Sequence, residues 1–124
     1  MTQAEAEAVL GGAAAGARRQ RSALLDQCRY APATPSADPT DAVTVQVFPG
    51  SGSAAWQLRR DTFRQTDRTV QPVAGVGDDA FWVGDQRALF VTSRGAIFDV
   101  RVPSGPTALA NAKALALKAA ARLG

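Results

Sequence analysis

The sequence predicts a single α+β domain over residues 1–124, in which a largely antiparallel β-sheet is flanked by helices. Two observations predict this class. A composition of 46% hydrophobic and 20% charged residues is that of a globular protein, and 124 residues are enough for one domain. Helical and strand-like patterns follow one another roughly in the order α-β-β-α-β-β-β-α, which is typical of α+β proteins.

The first helix is indicated by its start signal. Thr2 and Glu5 match a capping box, in which the Thr hydroxyl accepts a hydrogen bond from the N–H of Glu5 and the Glu carboxylate accepts one from the N–H of Thr2. The glycine pair at 11–12 is expected to end the helix. Residues 13–27 have no clean period, so a helix and an edge strand both remain open for this segment.

Two strands are predicted in the first half of the chain. Residues 28–31 alternate and end at Pro32, and residues 31–41, rich in Pro, Ala, Thr, Ser and Asp, are predicted to form a surface loop. Residues 42–48 alternate strictly. One face of this strand is predicted to carry Val43, Val45 and Val47, and the other Thr44, Gln46 and Phe48.

A central helix is predicted from Ser53, a suitable N-cap, to about Gln65. Trp56 and Phe63 lie seven residues apart and share one face, with Ala55 and Thr62 beside them. Three arginines spaced four apart are predicted on the opposite, solvated face, namely Arg60, Arg64 and Arg68.

The last third of the chain has the clearest strand signals. Residues 70–73 lead into a Gly-rich turn at 75–78, strands are predicted over 80–83, 87–92 and 96–102, and a turn at 93–95 joins the last two. Alternation predicts Leu89, Val91 and Ile97 on one face of the last two strands, and Phe90, Phe98, Val100 and Val102 on the other. Because both faces are apolar, both must be covered, two helices sharing one face and the third helix or a partner subunit covering the other.

The closing helix is predicted over residues 107–123 and should pack on these two strands. Its apolar stripe consists of Leu109, Ala112, Leu115, Ala116, Ala119 and Leu123, and Leu117 points away from it.

The residue inventory argues against catalysis. The chain has no His, a single Cys and only two Glu, which removes most equipment for acid–base chemistry, zinc binding and catalytic triads. Ser51 lies between two glycines but has no His to activate it, and Cys28 has no second Cys for a disulfide and is interpreted as a small core residue. No catalytic, cofactor-binding or metal-binding residue is therefore predicted, and no apolar run is long enough to span a membrane.

The Gly-rich turn suggests a candidate binding rim, which consists of Gly75, Gly77, Asp78, Asp79 and Trp82. Its Gly-x-Gly pattern matches the letters of a dinucleotide fingerprint, but a strand-like segment follows where a helix N-terminus is required, so a tight turn is favoured. The two carboxylates are interpreted as an Asx turn rather than a calcium site. The indole of Trp82 is interpreted as a core anchor, with a shallow groove as the alternative.

A net charge of +3 permits an acidic partner. Arg60, Arg64 and Arg68 would supply the face for it, although Asp61 and Asp67 dilute the charge. Binding to nucleic acid is not favoured, because the aromatic residues that would stack on bases are predicted to lie in the core.

Four stretches of the chain, 2–11, 28–30, 73–82 and the closing Ala-rich helix, together resemble a known family. The chain is similar to DUF3558-like proteins, small secreted or lipid-anchored domains of unknown function from actinobacteria and other high-GC bacteria. The resemblance implies a Mog1/PsbP-like α/β/α sandwich and an envelope location for the full-length parent. The chain itself has neither a lipobox nor a signal-peptide pattern, and Cys28 has no second cysteine as in some relatives, so a cytoplasmic location also stays open.

Three functional hypotheses follow. The favoured one is a non-enzymatic binding module of the cell envelope, which uses the sheet or the candidate rim to bind an unknown protein or small molecule. The alternative is a cytoplasmic nucleic-acid or acidic-partner binder that uses the Arg60, Arg64 and Arg68 face. The third is a subunit of an enzyme whose catalytic residues come from another chain. A homodimer is compatible with each hypothesis, and no cofactor is predicted.

Overall fold

A seven-stranded antiparallel sheet forms the middle layer of the protein. The computed structural model describes residues 2–10, 14, 18–21, 26–31, 42–48, 53–65, 70–94, 96–103 and 105–123. Along the chain lie α1 (Gln3–Leu10), β1 (Arg18–Arg21), β2 (Asp26–Tyr30), β3 (Val43–Phe48), α2 (Ser53–Gln65), β4 (Val70–Pro72), β5 (Asp79–Val83), a 3-10 turn (Gly84–Gln86), β6 (Ala88–Ser93), β7 (Ala96–Arg101) and α3 (Ala108–Leu123). The α+β class with an antiparallel sheet flanked by helices is confirmed.

The strands lie in the order β1-β2-β3-β7-β6-β5-β4. Strands that follow one another in the chain are neighbours in the sheet, with one exception. β3 and β4 lie apart, and β3 pairs with β7 instead. In the register of that pair, Val45 is opposite Val100.

The N-terminal capping box is confirmed. The N–H of Thr2 donates to Oε1 of Glu5 at 2.8 Å, and the N–H of Glu5 donates to Oγ1 of Thr2 at 3.2 Å. These two backbone N–H groups at the helix start are thereby satisfied. The helix α1 ends at Leu10. The glycines expected to end it lie outside the described residues.

The ambiguous segment 13–27 contains an edge strand. β1 lies at one edge of the sheet and pairs with β2, which begins at Asp26 and extends the predicted strand at 28–31 toward the N-terminus. The predicted strand at 42–48 is confirmed as β3, whereas the predicted loop beyond Ala31 lies outside the described residues.

Helices cover both faces of the sheet, as predicted. On one face, α1 and α3 enclose a core that includes Ala6, Ala112 and Leu115 together with alternate residues of the strands. On the other face, α2 places Trp56 and Phe63 against a smaller core, whose strand residues are Phe81, Val83, Ala88, Phe90 and Ile97. The α1/α3 face and the α2 face are named after these helices below.

The predicted distribution of side chains over the last two strands is wrong for β7. Leu89 lies opposite Val100, and Val91 lies opposite Phe98, so these four residues share the α1/α3 face. Ile97 lies on the α2 face instead, with Phe90. The reason is the hairpin: its ends pair Ser93 with Ala96, so odd-numbered residues of one strand face even-numbered residues of the other.

The buried stripe of α3 is centred on small residues. Ala112, Leu115 and Ala116 are buried, Leu109 is partly buried against the same core, and Leu117 is 46% exposed. The side chain of Leu123 lies outside the described residues. Alanine at the contact positions lets the helix backbone approach β6 and β7 closely.

Replacing Ala116 by Trp should lower the free energy of unfolding by about 1–3 kcal/mol, because a large ring would be forced into a close-packed contact. The same replacement at the exposed neighbour Leu117 should change it by less than about 0.5 kcal/mol. Urea unfolding of both variants measures the difference. Equal losses of stability at the two positions would contradict the assigned face of α3.

Candidate functional site

The Gly-rich turn serves the sheet rather than a cofactor. Gly77 has a φ of +56°, and the N–H of Asp78 donates to the carbonyl oxygen of Thr92 on β6 at 2.8 Å. A Cβ at Gly77 would lie 2.6 Å from that oxygen, so the backbone approach itself requires glycine here. The strand β5 follows the turn directly, which supplies no helix N-terminus for a pyrophosphate.

The two aspartates after this turn have separate structural partners. Oδ2 of Asp78 accepts a hydrogen bond from the N–H of Arg94 at 3.0 Å. Oδ2 of Asp79 accepts from Nε1 of Trp56 at 2.9 Å and from Nη1 of Arg60 at 3.2 Å. Within the described part of the chain, no three acidic or cysteine side chains gather in an arrangement that could hold a metal ion.

The candidate rim does not form one surface. Trp82 is only 8% exposed and belongs to the core on the α1/α3 face, as the core-anchor interpretation predicts. Asp79 contacts Trp56 and Arg60 on the α2 side, because residues 79 and 82 point to opposite faces of β5. Gly75, Gly77 and Asp78 are exposed at the turn.

The predicted solvated face of three arginines is wrong for Arg60. This residue follows Trp56 by four positions, so it lies on the side of α2 that faces the sheet, where it forms an ion pair with Asp79. Arg64 is exposed, and Arg68 lies outside the described residues. Arg60 therefore links α2 to β5 through this ion pair and does not belong to a free cationic face.

An open cleft of about 390 Å³ runs beside α2. We call it the α2 cleft, and it is lined by Ala55, Leu58, Arg59, Thr62 and Phe63. Its volume is within the range of sites for small molecules. Leu58, one of the lining residues, is 70% exposed, so its apolar surface is accessible from solvent.

Arg59 is positioned by aromatic rings. Its guanidinium carbon lies 4.5 Å from the ring centre of Phe48 and 5.8 Å from that of Phe90. These cation–π contacts fix the charged group beside the apolar lining of the cleft. Among the described side chains none forms an ion pair with Arg59 within 4 Å, although its charge acts on the buried carboxyl of Asp99 and lowers the pKa of that group.

A buried carboxylate lies on the same sheet face. Asp99 is 0% exposed and lies opposite Phe90 in the sheet register. Burial raises its pKa to about 6, although the guanidinium of Arg101, whose Nε is 3.4 Å away, acts in the opposite direction. Its Oδ2 has no hydrogen-bond partner within the described part of the protein.

A smaller cleft of about 220 Å³ lies on the α1/α3 face. Arg19 and Asp26 form a two-pronged ion pair at 3.0 and 3.2 Å in its lining, and Cys28 is half-buried there. Cys28 also packs against the main core, in agreement with its interpretation as a small core residue.

Sequence reasoning missed the α2 cleft, although a signal was present. Ala55, Leu58 and Thr62 recur at helical spacing as a stripe beside Trp56 and Phe63. Of this stripe, Leu58 is the large apolar residue that stays exposed.

No protein-family model matches the chain, and comparison with curated proteins and with solved structures gave no significant match. None of the described helices is long and apolar enough to cross a membrane.

Proposed function

We propose that the protein is a non-enzymatic binding module and that its ligand carries an apolar chain with an anionic end group. The observation that carries the proposal is the α2 cleft, in which a fixed guanidinium adjoins an apolar lining. Leu58 would cover the apolar chain, and Arg59 would pair with the anionic group. Such a combination of apolar surface with one placed charge is the usual design of a small-molecule site.

The chemistry of the neighbouring residues supports binding rather than turnover. The sequence has no His, and the buried carboxylate of Asp99 is paired with Arg101 on the strand rather than with a nucleophile. Arg60 is used in the fold, which weakens the alternative of an acidic partner on the Arg60, Arg64 and Arg68 face.

We also propose that the full-length parent acts at the cell envelope, as the resemblance to DUF3558-like proteins implies. An apolar, acid-tipped ligand is consistent with that location, because lipids and their fragments have this chemistry. Fractionation of the source organism with an antibody against the chain tests the location, and a signal confined to the cytosol would contradict it.

The ligand class can be tested with decanoate and 1-decanol, used below the concentration at which either self-associates. Decanoate should shift the backbone amide resonances of α2 in NMR spectra, and 1-decanol should bind more weakly because it lacks the charge. Leu58→Ser should weaken decanoate binding about tenfold, since burial of a leucine side chain contributes about 1.5–3 kcal/mol. Arg59→Gln should reduce the preference for decanoate over decanol.

The matched control is Leu117→Ser, which makes the same change at an exposed leucine of α3. It should leave decanoate binding within twofold of the original chain. Equal effects of the two leucine substitutions, or amide shifts centred away from α2, would show that the cleft is not the binding site.

A further inference from the structure

One edge of the sheet is unusually basic. The edge strand β1 has the sequence Arg-Arg-Gln-Arg over Arg18–Arg21, and it pairs only on its β2 side within the described sheet. An edge strand presents a row of backbone N–H and C=O groups that can pair with another extended chain. The opposite edge, β4, ends in Pro72, which lacks the N–H needed for such pairing.

On the α2 face of this edge, two arginines lie next to each other on neighbouring strands. Arg18 lies directly opposite Arg29 in the antiparallel register, and like charges in this position destabilise a sheet. The same row continues across the sheet through Thr44 to Arg101. Arg101, the third arginine of this row, is paired with Asp99.

The α1/α3 face of the same edge differs. There the side chain of Arg19 is paired with Asp26, at 3.0 Å. On the α2 face, the side chain of Arg29 also has an interaction partner. Arg18 is exposed, and no described carboxylate pairs with it. Of the two arginines of β1 whose side chains the structure describes, Arg19 is thus paired and Arg18 is available to a partner.

We propose that β1 binds an extended acidic segment of a partner protein, which adds to the sheet as an eighth strand. The backbone of the segment would pair with the edge of β1 that faces away from β2, and an Asp or Glu side chain next to Arg18 would form an ion pair with its guanidinium. Backbone pairing supplies affinity in this mode of recognition, and the alternate side chains supply specificity. The proposal concerns a surface separate from the α2 cleft and does not depend on it.

Other occupants fit the edge less well. A second copy joined through β1 would place arginine strands side by side, which charge repulsion opposes. Single-stranded nucleic acid is usually bound on exposed aromatic rings, and Phe48, on the same sheet face, is covered by Arg59.

The experiment uses a fluorescent eight-residue peptide of alternating Glu and Thr, with both termini blocked. It should bind the full chain at moderate salt, and the amide resonances of residues 18–21 should shift most. Arg18→Glu should weaken binding at least tenfold. Arg64→Glu, an identical charge change at an exposed site on α2, should leave binding within about twofold.

A second peptide distinguishes strand addition from charge attraction. It carries the same charges but is N-methylated at every residue, so neither of its edges can donate an N–H to a strand ladder, and it should bind at least tenfold more weakly. Equal binding of the two peptides would overturn the proposal. It would also be overturned if inorganic polyphosphate displaced the Glu peptide and Arg18→Glu bound that peptide as tightly as the original chain does. The absence of binding at millimolar peptide would also overturn it, and so would shifts at residues 18–21 that depend on protein concentration alone, which would indicate a dimer.

Discussion

Gly77→Ala is expected to lower the free energy of unfolding by about 2–5 kcal/mol. The residue has a left-handed φ of +56°, which costs a residue with a side chain about 1–2 kcal/mol. The new methyl group would also lie 2.6 Å from the carbonyl oxygen of Thr92 and 2.7 Å from Cγ1 of Val91. Since the oxygen belongs to the backbone of a central strand, relief requires the turn to move, at a further cost of about 1–3 kcal/mol.

Gly75→Ala is the matched control, because Gly75 also has a positive φ, of +81°, but an added Cβ would meet nothing within 4 Å. It should cost only the conformational strain of about 1–2 kcal/mol. Chemical unfolding of the two variants under the same conditions measures the difference. If Gly75→Ala proved as damaging as Gly77→Ala, the close approach of the turn to β6 would not be the cause.

The pH dependence of stability is expected to show a destabilising contribution from Asp99. Burial raises the pKa of this carboxyl in the folded protein to about 6, from 3.8, so the unfolded chain loses the proton more readily than the folded one. Ionisation therefore favours unfolding: the contribution of Asp99 disappears well below pH 4 and is complete above pH 6. A shift of this size corresponds to about 3 kcal/mol at neutral pH.

Asp99→Asn keeps the shape of the side chain and removes its ionisation. The variant should be more stable than the original chain at pH 7 by up to about 3 kcal/mol, and the gap should narrow to about 1 kcal/mol at pH 4.5. Urea unfolding at several pH values between 4.5 and 7.5 measures the gap. A variant that is less stable at pH 7, with a gap independent of pH, would indicate that the ion pair with Arg101 outweighs the cost of burial.

Local signals in the sequence predicted most of the individual elements. The capping box at Thr2 and Glu5, the alternation of β3 and the amphipathic stripe of α3 each depend on neighbours within a few residues. The alternation of the last two strands also predicted two apolar sheet faces, and the arrangement with two helices on one side and the third on the other, one of the two options left open, is the one observed.

The errors arose where relations between elements decide the structure. The partners of β7 on each face depend on a one-residue difference in hairpin register, and alternation within each strand does not contain this information. Arg60 was assigned by its spacing to the other arginines, whereas its four-residue distance from Trp56 decides its side of the helix. The α2 cleft depends on how α2 sits over the sheet, which no local pattern gives.

The β3–β7 pair has a consequence for how the chain folds. β1 to β3 form one meander and β4 to β7 form another, so within the described sheet this pair alone joins strands that are distant in sequence. Pairing Phe48 with Ile97 closes a loop of roughly 50 residues, and the entropy of that closure is lost before its contacts are gained. We therefore expect each meander to form early from local hairpins, and the union of the two along the β3–β7 pair, which completes both cores, to be the slow step of folding.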